Sequence, residues 1–322
     1  MINPSALDVV LTPPQQNRLR RVLETGDLSG VRLTGEGWHR FAILADDRVL
    51  LLPRSHRWVP GLEREATALP LLESYGIPVP RLLARIDDDE LWPYPVTMIT
   101  RYQARSWAAL QDDADLGRWQ RMLAQLGELI AGYHKINISD VPDTIGSRTP
   151  ASPDPMEREL RHFEDYLVES RLEKLGFDLA VAADLPADRV DRWLAVIEPC
   201  LRLQPTLVHR DINEGQIMIN EAGDVCGLID WESAGVQHPL SDFDFGEWGF
   251  GIWERESEFS LLRKTIWDSY RDARGVDLPD WLGVHLLMTI IGAPPPEGHT
   301  TAWDEQRRAR TIANLRAVDA LI

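Results

Sequence analysis

Four residues in one stretch have the types and spacing of a phosphoryl-transfer site. The apolar pair Leu207-Val208 runs into His209-Arg210-Asp211, and an amide, Gln216, follows five residues after the aspartate. Two further apolar runs, 217–219 and 225–229, flank a Glu-Ala-Gly-Asp turn, and the second ends on Asp230 in GLIDWE. Moving a phosphoryl group leaves little covalent work for a protein. It needs an acid that orients or deprotonates the acceptor hydroxyl, and oxygen ligands for magnesium. Asp211 fits the first role. The amide oxygen of Gln216 and the carboxylate of Asp230 fit the second. Pairing of the two apolar runs through the Gly223 turn would return Asp230 to the side of Gln216. A lone His-x-Asp would read as an incidental surface motif; the full pattern is far more specific.

Protein kinases have the same catalytic-loop grammar, His-Arg-Asp with an asparagine five residues after the Asp. The surroundings here resemble the aminoglycoside phosphotransferase family, in which glycine usually stands at the position of Arg210. The resemblance is carried by residues 207–242, by 62–82, and by 35–41, where GEGW is also similar to macrolide phosphotransferases. It implies an α+β, bilobal, protein-kinase-like fold. A small antiparallel-sheet lobe, 1–101, would bind nucleotide, and a mostly helical lobe, 102–322, would carry the catalytic loop and acceptor site. It further implies ATP or GTP as phosphate donor, Mg2+, and a small-molecule hydroxyl as acceptor. The expected acceptor is an antibiotic: an aminoglycoside, a macrolide, or a peptide or nucleoside antibiotic. Two rival readings stand beside this one: a metabolic kinase of a sugar or amino alcohol, and a catalytically silent nucleotide-binding scaffold. In the family, the histidine and a later Pro-x-x-Asp acid brace the loop, so His209 and Asp242 are expected as structural support. The short distance from Asp230 to Asp242, with no Ala-Pro-Glu after it, argues against a protein kinase.

The chain departs from the family in two places. Gln216 stands where asparagine is usual, offering the same carbonyl on a longer stem. The lysine expected on the third strand is missing, since the first lysine of the chain is Lys135. Arg54 in LLLPRSH is the expected substitute, three residues beyond Leu51, where the family lysine aligns. Its helix partner would be Glu65, with Glu63 second. Arginine can grip phosphate by two parallel hydrogen bonds. Gly35 and Gly37, between two strand-like segments, would let backbone N–H groups approach phosphates. No Gly-x-x-x-x-Gly-Lys-Ser/Thr exists, so a P-loop is excluded. The segment linking the lobes should lie near 98–102, with Ile99 and Tyr102 assigned to the nucleotide base. Beyond Asp242, the acids Asp244 and Glu247 alternate with aromatics that include Trp248 and Trp253. Carboxylates beside aromatic faces suit a cationic acceptor.

Elements that could hold these residues are legible along the chain. Residues 4–27 read as a helical preamble, then three strands to about 54, a helix at 62–75, and two strands in 77–86 and 95–102. Helical patterns follow at 116–136, 155–172, 187–203, 254–273, 279–291 and 302–321, with a loop at 141–157. The net charge of −17 argues against a nucleic-acid partner, because phosphate backbones demand a basic surface. The two cysteines form no metal or disulfide framework. No signal peptide or apolar run of membrane-spanning length is evident, so a cytoplasmic enzyme with no membrane or obligate protein partner is expected.

Overall fold

The computed structural model of the chain describes residues 7, 10–34, 39–146, 169–247, 258–291 and 302–322. In chain order these form α1 (Pro13–Val22), β1 (Arg32–Thr34), β2 (Arg40–Leu44), β3 (Arg48–Pro53), α2 (Val59–Ser74), β4 (Leu82–Ile86), β5 (Val96–Thr100), β6 (Arg105–Ser106), α3 (Leu116–Tyr133), α4 (Asp143–Gly146), α5 (Glu169–Ala182), α6 (Arg189–Leu201), β7 (Thr206–Val208), β8 (Ile217–Ile219), β9 (Val225–Leu228), β10 (Gly235–Gln237), α7 (Phe259–Arg274), α8 (Trp281–Ile291) and α9 (Ala302–Asp319). No described helix is long and apolar enough to cross a membrane.

The described residues divide into two compact units. The first comprises Met1–Trp107, Val141–Ile145 and Gly215–Ala234. Its main sheet has the strand order β1-β2-β3-β5-β4, antiparallel throughout. The β2–β3 register pairs Arg40 with Pro53, Ala42 with Leu51 and Leu44 with Val49. Side chains alternate between faces along each strand. Ile43, Leu50, Leu52 and Val96 therefore share one face, and they join Leu19 and Leu23 of the N-terminal region in one buried cluster. Arg40, Ala42, Leu51, Thr97 and Ile99 have the opposite parity.

Helix α2 buries Leu62, Glu65, Ala66, Leu69 and Leu72, a stripe at helical spacing that contains one charge. It stops at Gly76, whose φ of +72° suits glycine; Gly76 N–H donates to Glu73 O (2.9 Å) and Ile77 N–H to Leu72 O (3.0 Å). The small sheet β6-β8-β9 belongs to the same unit. A single cut after residue 101 thus differs from the observed division, because the 215–234 segment packs on α2 through the turn at Trp231–Ser233.

The second unit comprises Ala108–Asp140, Gly146–Glu214 and Gly235–Ile322, and is mostly helical. Helices α3 and α7 approach closely at Gly127, where an added Cβ would lie 2.5 Å from Ile266 O. Strand β7 pairs antiparallel with β10, the short strand that precedes Asp242. Sequence periodicity does not resolve β6 and β10, which have two and three residues. Of the 4–27 preamble, α1 is described together with helical residues 7 and 10, and most of the 155–172 pattern lies outside the described residues.

Candidate active site

In the helical unit, β7 delivers His209 and Arg210 to a single buried carboxylate. Asp242 Oδ1 accepts Arg210 N–H (2.6 Å), and Oδ2 accepts His209 N–H (2.9 Å), Tyr133 O–H (2.6 Å) and His134 Nε2 (3.1 Å). Burial works against the Asp242 charge, but its bonds with His134 and Tyr133 outweigh that and hold its pKa below the usual carboxylate range. Burial pushes His134 downward, so the ring is neutral. With its Nε2–H given to Asp242, its Nδ1 accepts Tyr270 O–H (2.9 Å). His209 is buried, and its Nδ1 accepts Asp211 N–H (3.3 Å). Arg210 has φ +73°, a left-handed conformation that costs about 1–2 kcal/mol for a residue with a Cβ. This accounts physically for a preference for glycine at that position. Asp211 follows, exposed, with its backbone held by His209.

In the sheet unit, the β8–β9 hairpin forms as expected around Gly223 (φ +84°). Ile229 N–H donates to Gln216 O (3.1 Å), so Asp230 follows directly on the residue that faces Gln216 at the hairpin base. Asp230 is itself left-handed (φ +73°), and this bend leads into the Trp231–Ser233 turn. There the structure departs from the sequence expectation. Glu65 is fully buried, and its partner is Arg40 of β2: Nη1 lies 2.5 Å from Glu65 Oε2. Arg40 Nη2 lies 2.5 Å from Asp230 Oδ1, and Nη1 lies 3.3 Å from Glu232 Oε2. Burial opposes the Arg40 charge, but Asp230, Glu65 and Glu232 outweigh it and keep the guanidinium protonated. Glu65 Oε1 also accepts Trp231 N–H (3.3 Å). His39 bonds to Glu232, which raises its pKa against the effect of burial, and it stacks on Trp58 at 3.9 Å.

Arg54, expected to pair with Glu65, is exposed and lies over the Phe41 ring at 4.1 Å. Strand parity explains the correction. Position 54 has the parity of Leu50 and Leu52, on the face that meets α1, whereas Glu65 serves the Arg40 face. The signal available in the sequence was an acid inside the apolar stripe of α2, together with an arginine of Leu51 parity in β2. Glu232, the end of the Asp-Trp-Glu run, and His39, directly after GEGW, are further partners to which the sequence alone assigns no role.

Ile99 is buried in β5, paired on both sides. Tyr102 packs its phenol on β9, where a Cβ at Gly227 would lie 2.2 Å from the hydroxyl oxygen. Gly35, Gly37, Trp248 and Trp253 lie outside the described residues, as do the side chains of Asp244 and Glu247. Among the described residues no group of three or more His, Cys, Asp or Glu forms a metal cage. Mg2+ is commonly held by one or two protein oxygens together with substrate phosphates. Gln216 and Asp230 are the oxygen-bearing side chains that could serve as such a pair, with Glu65 and Glu232 bound to Arg40 nearby.

An antiparallel sheet with a helix-borne glutamate bound to a strand cation, followed by a braced His-x-Asp loop and an acid-terminated hairpin, defines a kinase-like phosphotransferase. The profile of the phosphotransferase enzyme family, APH, matches residues 31–285, and the chain belongs to that family. Among solved structures, it is similar to the GDP complex of aminoglycoside 2'-phosphotransferase-IIIa (17% identity, 96% of this chain and 99% of that one, TM-score 0.57). It is similar also to macrolide 2'-phosphotransferase MphH from Brachybacterium faecium (17% identity, 94% and 96% coverage, TM-score 0.54). At these identities the likeness is one of fold. No curated protein matches the chain in sequence.

Proposed function

We propose that this phosphotransferase moves the γ-phosphate of ATP or GTP to a hydroxyl of an antibiotic and so inactivates it. The observation that carries the reading is the hairpin base. There Asp230 follows directly on Ile229, the residue whose N–H bonds Gln216 O, and Arg40 ties Asp230 to buried Glu65. Gln216 and Asp230 would hold Mg2+, whose chemistry when bound is to neutralise phosphate charge. Asp211 orients the acceptor hydroxyl and accepts its proton, on a loop held by Asp242 and His209. Low identity leaves the acceptor open within the antibiotic class, although relatives of the same fold include a kanamycin complex and a macrolide phosphotransferase. We assign the acid–aromatic run containing Asp244, Glu247, Trp248 and Trp253 to a cationic acceptor. The test is transfer of label from γ-phosphate-labelled ATP and GTP to a panel of aminoglycosides, macrolides, and peptide and nucleoside antibiotics, with sugars and amino alcohols alongside. Label on an antibiotic supports the reading. Label confined to the metabolites, or hydrolysis with no labelled acceptor, refutes it.

A further inference from the structure

We propose that Arg40, reached from the second strand, is the cation that grips the nucleotide phosphates in this chain; the inference rests on the nucleotide-dependent reading above. A triphosphate needs a fixed positive group beside its metal. The third strand supplies none on the relevant face, where Val49 and Leu51 stand. Arg40 lies directly across from Pro53 and diagonally from Leu51, with the same parity as Leu51, so a long side chain from β2 covers the space that a residue at 51 would serve. Its anchoring is also suited to the task. Buried Glu65 fixes Nη1, which leaves the fork aimed rather than mobile, and Nη2 rests on Asp230. A phosphate oxygen held near Asp230 would come within reach of that nitrogen.

The present pairing shows what loading changes. Arg40 faces Glu65, Asp230 and Glu232, while His39 and Arg64 are drawn to Glu232; the carboxylate left to oppose an incoming phosphate is Asp230 on Nη2, until a divalent cation offsets it. Arg40 therefore exchanges the Asp230 carboxylate for a phosphate oxygen on Nη2 while Glu65 keeps Nη1 in place. Two consequences follow: nucleotide affinity depends steeply on Mg2+, and the dependence runs through Arg40.

The experiment is calorimetric titration with ATP, GTP and the parent nucleosides, with and without Mg2+, on wild type, Arg40→Lys, Arg40→Ala and Arg54→Ala. The quantity read is the ratio of nucleoside to triphosphate Kd, which isolates the phosphates and holds for any variant that still binds nucleoside. Losing a charge-assisted contact corresponds to about a 10- to 100-fold change. Arg40→Ala is expected to shrink the ratio by that factor, Arg40→Lys by less, and Arg54→Ala not at all. Arg40→Lys keeps a cation among the three acids, so it serves if Arg40→Ala does not fold. An unchanged ratio in folded Arg40→Lys and Arg40→Ala, or a collapse in Arg54→Ala, overturns the role of Arg40 and leaves the functional reading standing. Wild type that binds no nucleotide overturns both.

Discussion

Replacing Asp242 by asparagine keeps the size of the side chain and removes one acceptor and one charge. The four donors around it, Tyr133 O–H, His134 Nε2–H, and the N–H groups of His209 and Arg210, then face one oxygen and one NH2. The better orientation keeps the oxygen on the three donors of Oδ2 and turns the NH2 toward Arg210 N–H, which now sits 2.6 Å from Oδ1. That N–H loses a charged acceptor, worth about 1.5–3 kcal/mol, and meets a donor instead. The other three bonds weaken because their acceptor is now neutral. Relief from desolvating a carboxylate offsets part of this, but the depressed pKa of Asp242 shows that the fold favours the anion on balance. A net loss of about 3 kcal/mol is expected from denaturant unfolding. Arg210, already left-handed, is then free to relax and take Asp211 with it, so turnover should fall by at least about 100-fold, on the order of other losses from misplaced catalytic groups. Mg-nucleotide affinity should stay near wild type, since Gln216, Asp230 and Arg40 belong to the other unit. Asp242→Asn with stability within about 0.5 kcal/mol of wild type and full turnover would refute the bracing argument.

Four further outcomes are expected. Arg210→Gly relieves the left-handed strain, offset by the greater freedom of glycine when unfolded, and should stabilise by about 0.5–1 kcal/mol in urea titration. Gly127→Ala gains helix propensity yet drives a Cβ toward Ile266 O, so a net loss of about 2 kcal/mol is expected from the same measurement. Gly227→Ala must push Tyr102 off β9 and should cost about 1–3 kcal/mol, visible as a lower Tm. Burial lowers His238 to about 4 and His285 to about 2, so both are neutral when folded and take up protons on unfolding below their unfolded pKa near 6.5. Their stabilisation is complete above that pH and declines below it, by about 2 kcal/mol each at pH 5, which unfolding curves at pH 8 and pH 5 should show.

Local grammar carried much of the structure. The hairpin around Gly223 was readable because a turn motif separates two apolar runs, and α2 because Gly76 and Pro78 punctuate its end. The loop after β7 was readable as a motif, and the acid that braces it, Asp242, through the resemblance of its Pro-x-x-Asp to the family's run. The cation was not. Whether Arg40 or Arg54 meets Glu65 depends on which sheet face each occupies, and a spacing argument along one strand does not contain that parity. Counting back from the Asp46-Asp47 turn would have paired 40 with 53 and placed 54 with the Leu50–Leu52 face. The left-handed backbone at Arg210 was equally hidden, because residue type there argues against it and only the bond to Asp242 reveals what holds it.

The most direct test of the account compares wild type with Asp211→Asn in transfer of labelled γ-phosphate to an antibiotic, alongside Mg-nucleotide binding. Wild type is expected to transfer phosphate, Asp211→Asn to lose transfer by at least about 1,000-fold, and nucleotide affinity to stay within about threefold. Transfer by Asp211→Asn at the wild-type rate would contradict it.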